Sequence, residues 1–200
     1  ELYDPATDGW LTFVVGQDVG ATTLGWWAAA LWELGHPEQA RRRGEEAIAL
    51  ARRVDHPFSL AFALAIGGSL VSYLRGEPER VLVAADEVAN IADREDFAFY
   101  RAAARVYRGL GAGDVRNGLH ELELGLAGWE ALGTEAFATW VGASRADLLL
   151  QAGRVDEAAD VLDELDGTGE ASGEEIATPR LWLERARMLL ARGDEVGAER

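Results

Sequence analysis

The chain has 200 residues, 48% of them hydrophobic and 27% charged, which is typical of a folded soluble protein and not of a disordered or fibrous one. Its formal net charge of -16 disfavours attraction to nucleic-acid phosphates and anionic lipids, so we expect no direct nucleic-acid partner and no membrane partner. The absence of cysteine excludes disulfides and cysteine-based zinc sites and agrees with a cytoplasmic location.

The N-terminal segment, residues 1–18, shows no helical pattern because Pro5, Gly9 and Gly16 interrupt it. Within it, Leu11 to Val15 has a strand-like alternation that is too brief to build a sheet. We interpret the segment as a linker or as the end of a preceding repeat.

From residue 19 onward one pattern recurs: an apolar helix rich in small residues, a glycine-centred break, and a second helix with an acidic start. These helical hairpins are predicted at about 19–55, 57–94, 97–132, 135–168 and 178–200, the last one truncated. The central glycines are Gly35, Gly76, Gly113, Gly153 and Gly193, separated by 41, 37, 40 and 40 residues. A repeat of this length is typical of a solenoid whose neighbouring hairpins share one core.

Small residues recur at two fixed offsets from these glycines. Five residues after each glycine lie Ala40, Val81, Gly118, Ala158 and Ala198, and seven before it lie Ala28, Ser69, Val106, Ala146 and Ala186. Small side chains at such positions allow two antiparallel helices to cross at a short axial distance. The sequence therefore predicts an all-α, right-handed α-solenoid of antiparallel helical hairpins.

Local signals place individual helix ends. Asp18 is suited to cap a helix that begins at the next residue, and Pro37 suits the first turn of the helix that follows. The apolar run from Leu60 to Leu70 contains two glycines and a serine, so we interpret it as a buried helix instead of a membrane anchor. The polar stretch of residues 166–175 is predicted to be a mobile loop.

The glycine and small-residue positions match the pattern of tetratricopeptide repeats in a long-repeat form; HEAT-type repeats share the period. A closer resemblance rests on four strings: GQDVG (residues 16–20), AALWELGHPEQA (29–40), HPFSLAFAL (56–64) and GLAGWEALGTE (125–135). They resemble the C-terminal repeat region of bacterial multidomain signalling proteins. In those proteins a class III adenylate or guanylate cyclase, or a LuxR- or winged-helix-type transcriptional regulator, is joined to a signal-transducing ATPase module.

This resemblance spans essentially the whole chain and implies that the cyclase and ATPase motifs lie upstream of it. The chain itself would then be a noncatalytic protein-interaction or regulatory arm. Its partner would be a protein, a peptide or a neighbouring domain of the parent chain. The alternative is a sensor domain that binds a small molecule or a short peptide in its groove and transmits a change of curvature.

Patterns for catalysis are weak in this sequence. The chain has no lysine, so the lysine-containing phosphate-binding loop of many ATPases cannot occur. Adjacent carboxylates such as Glu45 and Glu46 point about 100° apart on a helix, which favours a solvated face over acid–base catalysis. The histidines, His36, His56 and His120, fall in different hairpins or junctions. We therefore predict no catalytic residue, no metal site and no cofactor.

In tetratricopeptide proteins the first helix of each hairpin lines a concave groove. Counting three, six and thirteen residues back from the turn glycines, we predict a partner-binding surface made of Trp32, Tyr73, Tyr100, Tyr107, Trp140, Asp147 and Arg187. Its aromatic members would suit a peptide or helix ligand, because Trp and Tyr offer a large contact area with a polar tip. The alternative is that these side chains form the core between repeats.

The first predicted helix carries an unusual group of tryptophans. Trp26 and Trp27 cannot both face the same direction as Trp32, because successive side chains point about 100° apart. We expect Trp10 or Phe13, from the N-terminal segment, to cover one of them.

Both ends of the chain suggest a piece excised from a longer protein, since it starts at Glu1 without an initiator methionine and begins a last helix at Glu195. The truncated fifth hairpin lacks the helices that would normally pack on it. This favours self-association through an apolar face made of Leu183, Ala186 and Leu190.

Overall fold

In the computed structural model, residues 3–134, 137–172, 178–194 and Ala198 are described, and these contain helices and turns but no strand. The helices are α1 (Pro5–Asp8), α2 (Leu11–Val15), α3 (Val19–Glu33), α4 (Pro37–Val54), α5 (Pro57–Ala63), a π-helical segment (Leu64–Leu70), α6 (Val71–Leu74), α7 (Pro78–Glu95), α8 (Ala98–Gly111), α9 (Val115–Ala131), α10 (Ala138–Gln151), α11 (Val155–Ser172) and α12 (Thr178–Ala191). The predicted all-α class is confirmed.

The N-terminal segment differs from the prediction, because it contains the two short helices α1 and α2. Asp4 caps α1 by accepting a hydrogen bond from the Ala6 amide at 2.9 Å, and Gly16 ends α2 with a left-handed φ of 80°. The stretch with a strand-like alternation is therefore helical. Local caps decide the conformation here, because no neighbouring strand offers partners for its backbone groups.

Tyr3 ties the start of the chain to the first hairpin. Its hydroxyl donates to the carboxylate of Asp18, which is fully buried. The same carboxylate accepts the Ala21 amide at 2.7 Å, so the prediction that Asp18 caps α3 is confirmed. The Asp18 amide in turn donates to Ser59 Oγ of the next hairpin at 2.7 Å.

Neither Trp10 nor Phe13 covers a tryptophan of α3, so that expectation is wrong. Trp10 is 60% exposed and Phe13 is 92% exposed. The guanidinium of Arg43, on the neighbouring α4, lies 4.2 Å from the centre of the Trp27 ring and covers that face. Trp26 instead meets aromatic rings of later hairpins.

Most of the repeat turns are built alike around glycine. A positive φ, which glycine adopts at little cost, occurs at Gly35, Gly76, Gly153 and Gly193. After Gly35, the amide of His36 donates back to the carbonyl of Leu31 at 2.8 Å, which is the hydrogen bond of a Schellman motif. The third turn differs, because Gly113 has no positive φ and the extended Ala112 ends α8.

Helix bounds follow the prediction closely in the first three hairpins and less closely in the fourth. There, α10 begins at Ala138, and α11 continues to Ser172 through most of the stretch predicted to be a mobile loop. Each residue added to an existing helix gains a hydrogen bond, which offsets the poor helix propensity of two glycines. Residues 173–175 of that stretch lie outside the described residues, as does most of the predicted last helix.

The hairpins pack through small residues at their crossings. All eight positions that the glycine spacing selects in the first four hairpins are buried. At the tightest crossing, a Cβ atom placed on Gly44 of α4 would lie 3.0 Å from the carbonyl carbon of Gly67 in the π-helical segment. A Cβ on Gly109 of α8 would lie 2.6 Å from the carbonyl oxygen of Gly118 in α9. Only glycine allows these backbones to approach so closely.

The first helix of the second hairpin runs from Pro57 to Leu74 as α5, the π-helical segment and α6. By length and composition alone it is apolar enough to cross a membrane. Within the fold, however, 61% of it is buried against neighbours that include α3, α4 and α7. We therefore interpret it as a core helix, in line with the sequence.

Candidate functional site

The first helices of all five hairpins border one cavity of about 540 Å³. Among the described residues that line it, two are charged: Glu33, the last residue of α3, and Arg180, near the start of α12. Six aromatic side chains line it, namely those of Trp26, Trp32, Tyr73, Tyr107, Phe137 and Trp140. We call this space the aromatic cavity. Because the first helices of the hairpins surround it, it lies on the side that the sequence analysis predicts to be concave.

A smaller pocket of about 270 Å³ adjoins the aromatic cavity. The two spaces share the side chains of Trp26, Tyr107, Phe137 and Trp140. The smaller pocket adds a second group of rings, Phe58, Phe62, Phe99, Tyr100 and Trp129. A ligand in either space would therefore contact rings that also line the other.

Trp26 and Phe137 connect the first and fourth hairpins at the cavity wall. Their rings stack with centroids 6.2 Å apart, and Trp26 also meets Phe62 edge-on at 5.7 Å. Phe137 has a φ of 62°, a left-handed conformation that is costly for a bulky residue. The backbone thus carries local strain at the position where two distant hairpins touch.

The structure brings the aromatic members of the predicted surface together. Trp140 lies edge-on to Tyr73 at 5.6 Å and tilted against Tyr107 at 6.3 Å, and Trp32 lines the same cavity. Tyr100 lies in the adjoining pocket.

Two of these tyrosines belong as much to the core as to the groove. Tyr100 is 4% exposed and Tyr107 is 6% exposed, and burial raises the pKa of both phenols. For Tyr100 the core interpretation describes the packing better. Tyr107 fits both interpretations, because it packs in the core while one side of it faces the cavity.

The charged members of the predicted surface, Asp147 and Arg187, join a cluster at the α12 end of the cavity. Arg180 pairs with Asp147 at 3.0 Å and with Glu184 at 2.7 Å. Arg187 pairs with Asp147 at 3.1 Å and with Glu184 at 3.3 Å. Glu184 is fully buried, and burial followed by the charge of Asp147 raises its pKa, while the two arginines oppose that rise. Arg180 also lies 5.7 Å from the centre of the Tyr73 ring.

Sequence reasoning missed Trp26, Glu33, Phe137 and Arg180. Arg180 lies thirteen residues before Gly193, the same offset that selected Trp140, so the repeat register alone could have found it. Trp26 and Phe137 carry no such signal, because they meet only through the curvature accumulated over three hairpins.

His56, Ser59 and Asp18 form a cluster that superficially suggests nucleophilic catalysis. His56 Nδ1 lies 2.8 Å from Ser59 Oγ, but Ser59 is fully buried and already accepts the amide of Asp18. The Asp18 carboxylate binds Tyr3 and the Ala21 amide. This is a capping network between two hairpins, with no route for a substrate. Within the described part of the chain, no group of three or more His, Asp or Glu side chains could hold a metal ion.

No protein-family model and no curated protein matches the chain. Among solved structures, it is similar to the crystal structure of nearly identical TPR-like repeats assigned to a kinesin light chain of Podosopora anserina. The two are 16% identical, with a TM-score of 0.56, over 91% of this chain and 92% of the other. At this identity the likeness shows a shared tetratricopeptide-like repeat fold alone.

Proposed function

We propose that this chain is the noncatalytic interaction and regulatory arm of a cytoplasmic bacterial signalling or transcription-regulating ATPase protein, and that it binds a partner on its concave surface. The observation that supports the proposal is the convergence of the first helices of all five hairpins on the aromatic cavity. Exposed rings of Trp and Tyr supply large, rigid contact areas, and such residues dominate the energy of protein interfaces.

The size of the cavity restricts what the partner inserts. A volume of about 540 Å³ falls in the range of sites that hold a small molecule or a few side chains. The contact between Trp26 and Phe137 further narrows the groove. The partner therefore presents a short segment to the cavity and does not lay a complete helix along the groove.

A second candidate is a sensor that binds a small molecule or a short peptide. It is favoured by the fact that Trp32 of the first hairpin and Arg180 of the fifth line the same cavity. A ligand there would bridge both ends of the repeat array. If the ligand binds more tightly to one curvature of the solenoid than to another, it shifts the population towards that curvature.

A matched pair of tryptophan variants tests these candidates. Trp32→Ala removes a ring from the cavity wall, and Trp10→Ala removes a ring that is 60% exposed and lies outside both pockets. Both proteins are first checked for wild-type helicity by circular dichroism. They then serve as bait for host lysate, and their melting temperatures are measured with the low-molecular-weight fraction of that lysate.

Retention of one protein by wild type and Trp10→Ala, but not by Trp32→Ala, supports the interaction arm. The sensor is supported if the small-molecule fraction raises the melting temperature of wild type and Trp10→Ala but not that of Trp32→Ala. If Trp32→Ala and Trp10→Ala behave alike in both assays, the cavity is not the binding site and both candidates fail.

We also propose that the chain self-associates through its C-terminal end. On α12, Trp182 is 68% exposed, Leu183 46% and Leu190 55%, so an apolar face points to solvent. Sedimentation velocity of wild type and Leu190→Glu tests this, with a shift towards monomer expected for the variant. An unchanged sedimentation coefficient would rule this face out.

A further inference from the structure

We propose that the group entering the aromatic cavity is the cationic end of an arginine or lysine side chain, carried by a basic, otherwise apolar segment of a partner protein. The inference rests on the proposed function, because it specifies what the concave surface binds. It follows from the charges in the cavity wall, from the aromatic faces beside them, and from the charge of the whole chain.

Glu33 gives the wall of the cavity its unbalanced negative charge. Glu33 lines the same wall as the aromatic rings but is exposed to solvent, and among the described residues its carboxylate makes no ion pair or hydrogen bond. Partial burial raises the pKa of Glu33, so a cation placed beside it would favour the charged form of the carboxylate. Glu33 is also the last residue of α3, where the helix macrodipole is negative and favours a cation. An incoming ammonium or guanidinium group would pair with this carboxylate in place of water.

The other charged residue of the wall is already neutralised. Arg180 is held between Asp147 and Glu184, and Arg187 pairs with the same two carboxylates. This cluster of two cations and two anions has no net charge when all four groups are ionised. The positive end of α12 also borders the cavity, and the carboxylates of this cluster lie beside it. An anionic ligand would meet a cluster whose charges are already balanced, whereas a cation would meet at Glu33 a carboxylate that has no ionic partner among the described residues.

The aromatic wall suits the same kind of group. The faces of Trp and Tyr rings are electronegative and attract ammonium and guanidinium groups, more strongly where water is excluded. The described residues include such contacts, Arg43 over Trp27 and Arg180 over Tyr73. The methylene stem of an arginine or lysine would pack on the remaining rings.

The net charge of -16 favours a protein partner over a small cation as the source of this group. Long-range attraction grows with the number of charges on the approaching molecule, so a segment with several basic residues is steered more strongly than a single ammonium ion.

Two isosteric fragments test the proposal directly. The n-butylguanidinium ion copies the end of an arginine side chain, and n-butylurea has nearly the same shape without the charge. Binding is followed by NMR through the indole N–H signals of the tryptophans, with Trp26, Trp32 and Trp140 identified by single Trp→Phe variants. Each titration is run on wild type, on Glu33→Gln and on Glu130→Gln. Glu130 is a matched control, because it is an exposed carboxylate near the C-terminal end of α9 and lies outside both pockets.

We expect n-butylguanidinium to shift the cavity indoles at lower concentration than n-butylurea. Glu33→Gln should weaken the guanidinium about five- to tenfold, the usual effect of losing one charge-assisted contact, and leave n-butylurea unchanged. Glu130→Gln should behave as wild type. Glu33→Gln is expected to fold normally, since the side chain holds nothing in place among the described residues.

Equal binding of the two fragments, or tighter binding of the anion n-butylsulfonate when it is titrated in the same way, overturns the cation preference while leaving the cavity as a ligand site. If neither fragment binds but Trp32→Ala still loses its partner from lysate, the cation inference fails and the interaction arm stands. If Trp32→Ala also keeps its partner, the proposed function fails as well.

Discussion

Replacing Gly44 by alanine tests whether the close crossing of α4 and the π-helical segment holds the first two hairpins together. An added Cβ would lie 3.0 Å from the carbonyl carbon of Gly67 and 3.1 Å from its Cα, and closer still to its carbonyl oxygen. Carbon atoms normally approach to about 3.5–4.0 Å, so the two backbones must separate by roughly half an ångström or more. Neither backbone can turn aside as a side chain would.

The expected loss of stability follows from two opposing terms. Alanine gains about 1 kcal/mol over glycine in the interior of a helix. Overpacking costs about 1–3 kcal/mol, and the upper half of that range applies because the clash is with backbone. The net loss is about 1–2 kcal/mol, which lowers the melting temperature of a chain of this size by roughly 2–8 °C.

The assay is urea and thermal unfolding followed by circular dichroism at 222 nm, with Gly113→Ala as the matched control. Nothing lies within 4 Å of a Cβ placed on Gly113, and its φ is not positive. That variant should be as stable as wild type or more stable by up to about 1 kcal/mol, because it restricts the unfolded chain. If Gly44→Ala is as stable as Gly113→Ala, the crossing tolerates a methyl group and the reasoning is wrong.

Three further changes probe other contacts. Tyr3→Phe leaves a buried oxygen of Asp18 without its hydrogen bond and should cost about 1.5–3 kcal/mol in urea unfolding; no change in the midpoint would exclude this link. Gly153→Ala places a Cβ at a φ of 73° and should lower the free energy of unfolding by about 1–2 kcal/mol. Urea unfolding measures this loss too, and an unchanged midpoint would contradict it. Burial, reinforced by Asp147, raises the pKa of Glu184 above its ordinary 4.5, so the folded protein holds this proton more tightly than the unfolded chain. The free energy of unfolding should therefore fall as pH rises from 4.5 through the raised pKa. Glu184→Gln should remove that fall. If the unfolding free energies of wild type and variant change with pH in parallel, this explanation is refuted.

Local signals in the sequence were sufficient for most of the fold. Pro37 opens α4, Gly35 ends the preceding turn with a positive φ, and Asp18 caps α3. Each of these features depends on a few neighbouring residues, so it can be predicted without knowing how the rest of the chain packs. The errors fell where local preference is weak, at the single-turn helix α2 and at the polar end of α11.

The candidate site was predictable only in part, for a physical reason. Offsets from the turn glycines place Trp32, Tyr73 and Trp140 on one side of the repeat, because every hairpin repeats the same register. The contact between Trp26 and Phe137 depends on small rotations between hairpins that add up over the array. No single repeat contains that information, so the contact and the cavity beside it appear only in the folded chain.

The π-helical segment has a consequence for protein engineering. A π turn holds more residues than the α turn it replaces, so the first helix of the second hairpin is locally wider where Gly67 lies against Gly44 of α4. A consensus module built from regular α-helices and grafted at this place would lack that widened turn. Designers who extend or shorten the array should therefore exchange the later hairpins and keep the first two as one inseparable unit.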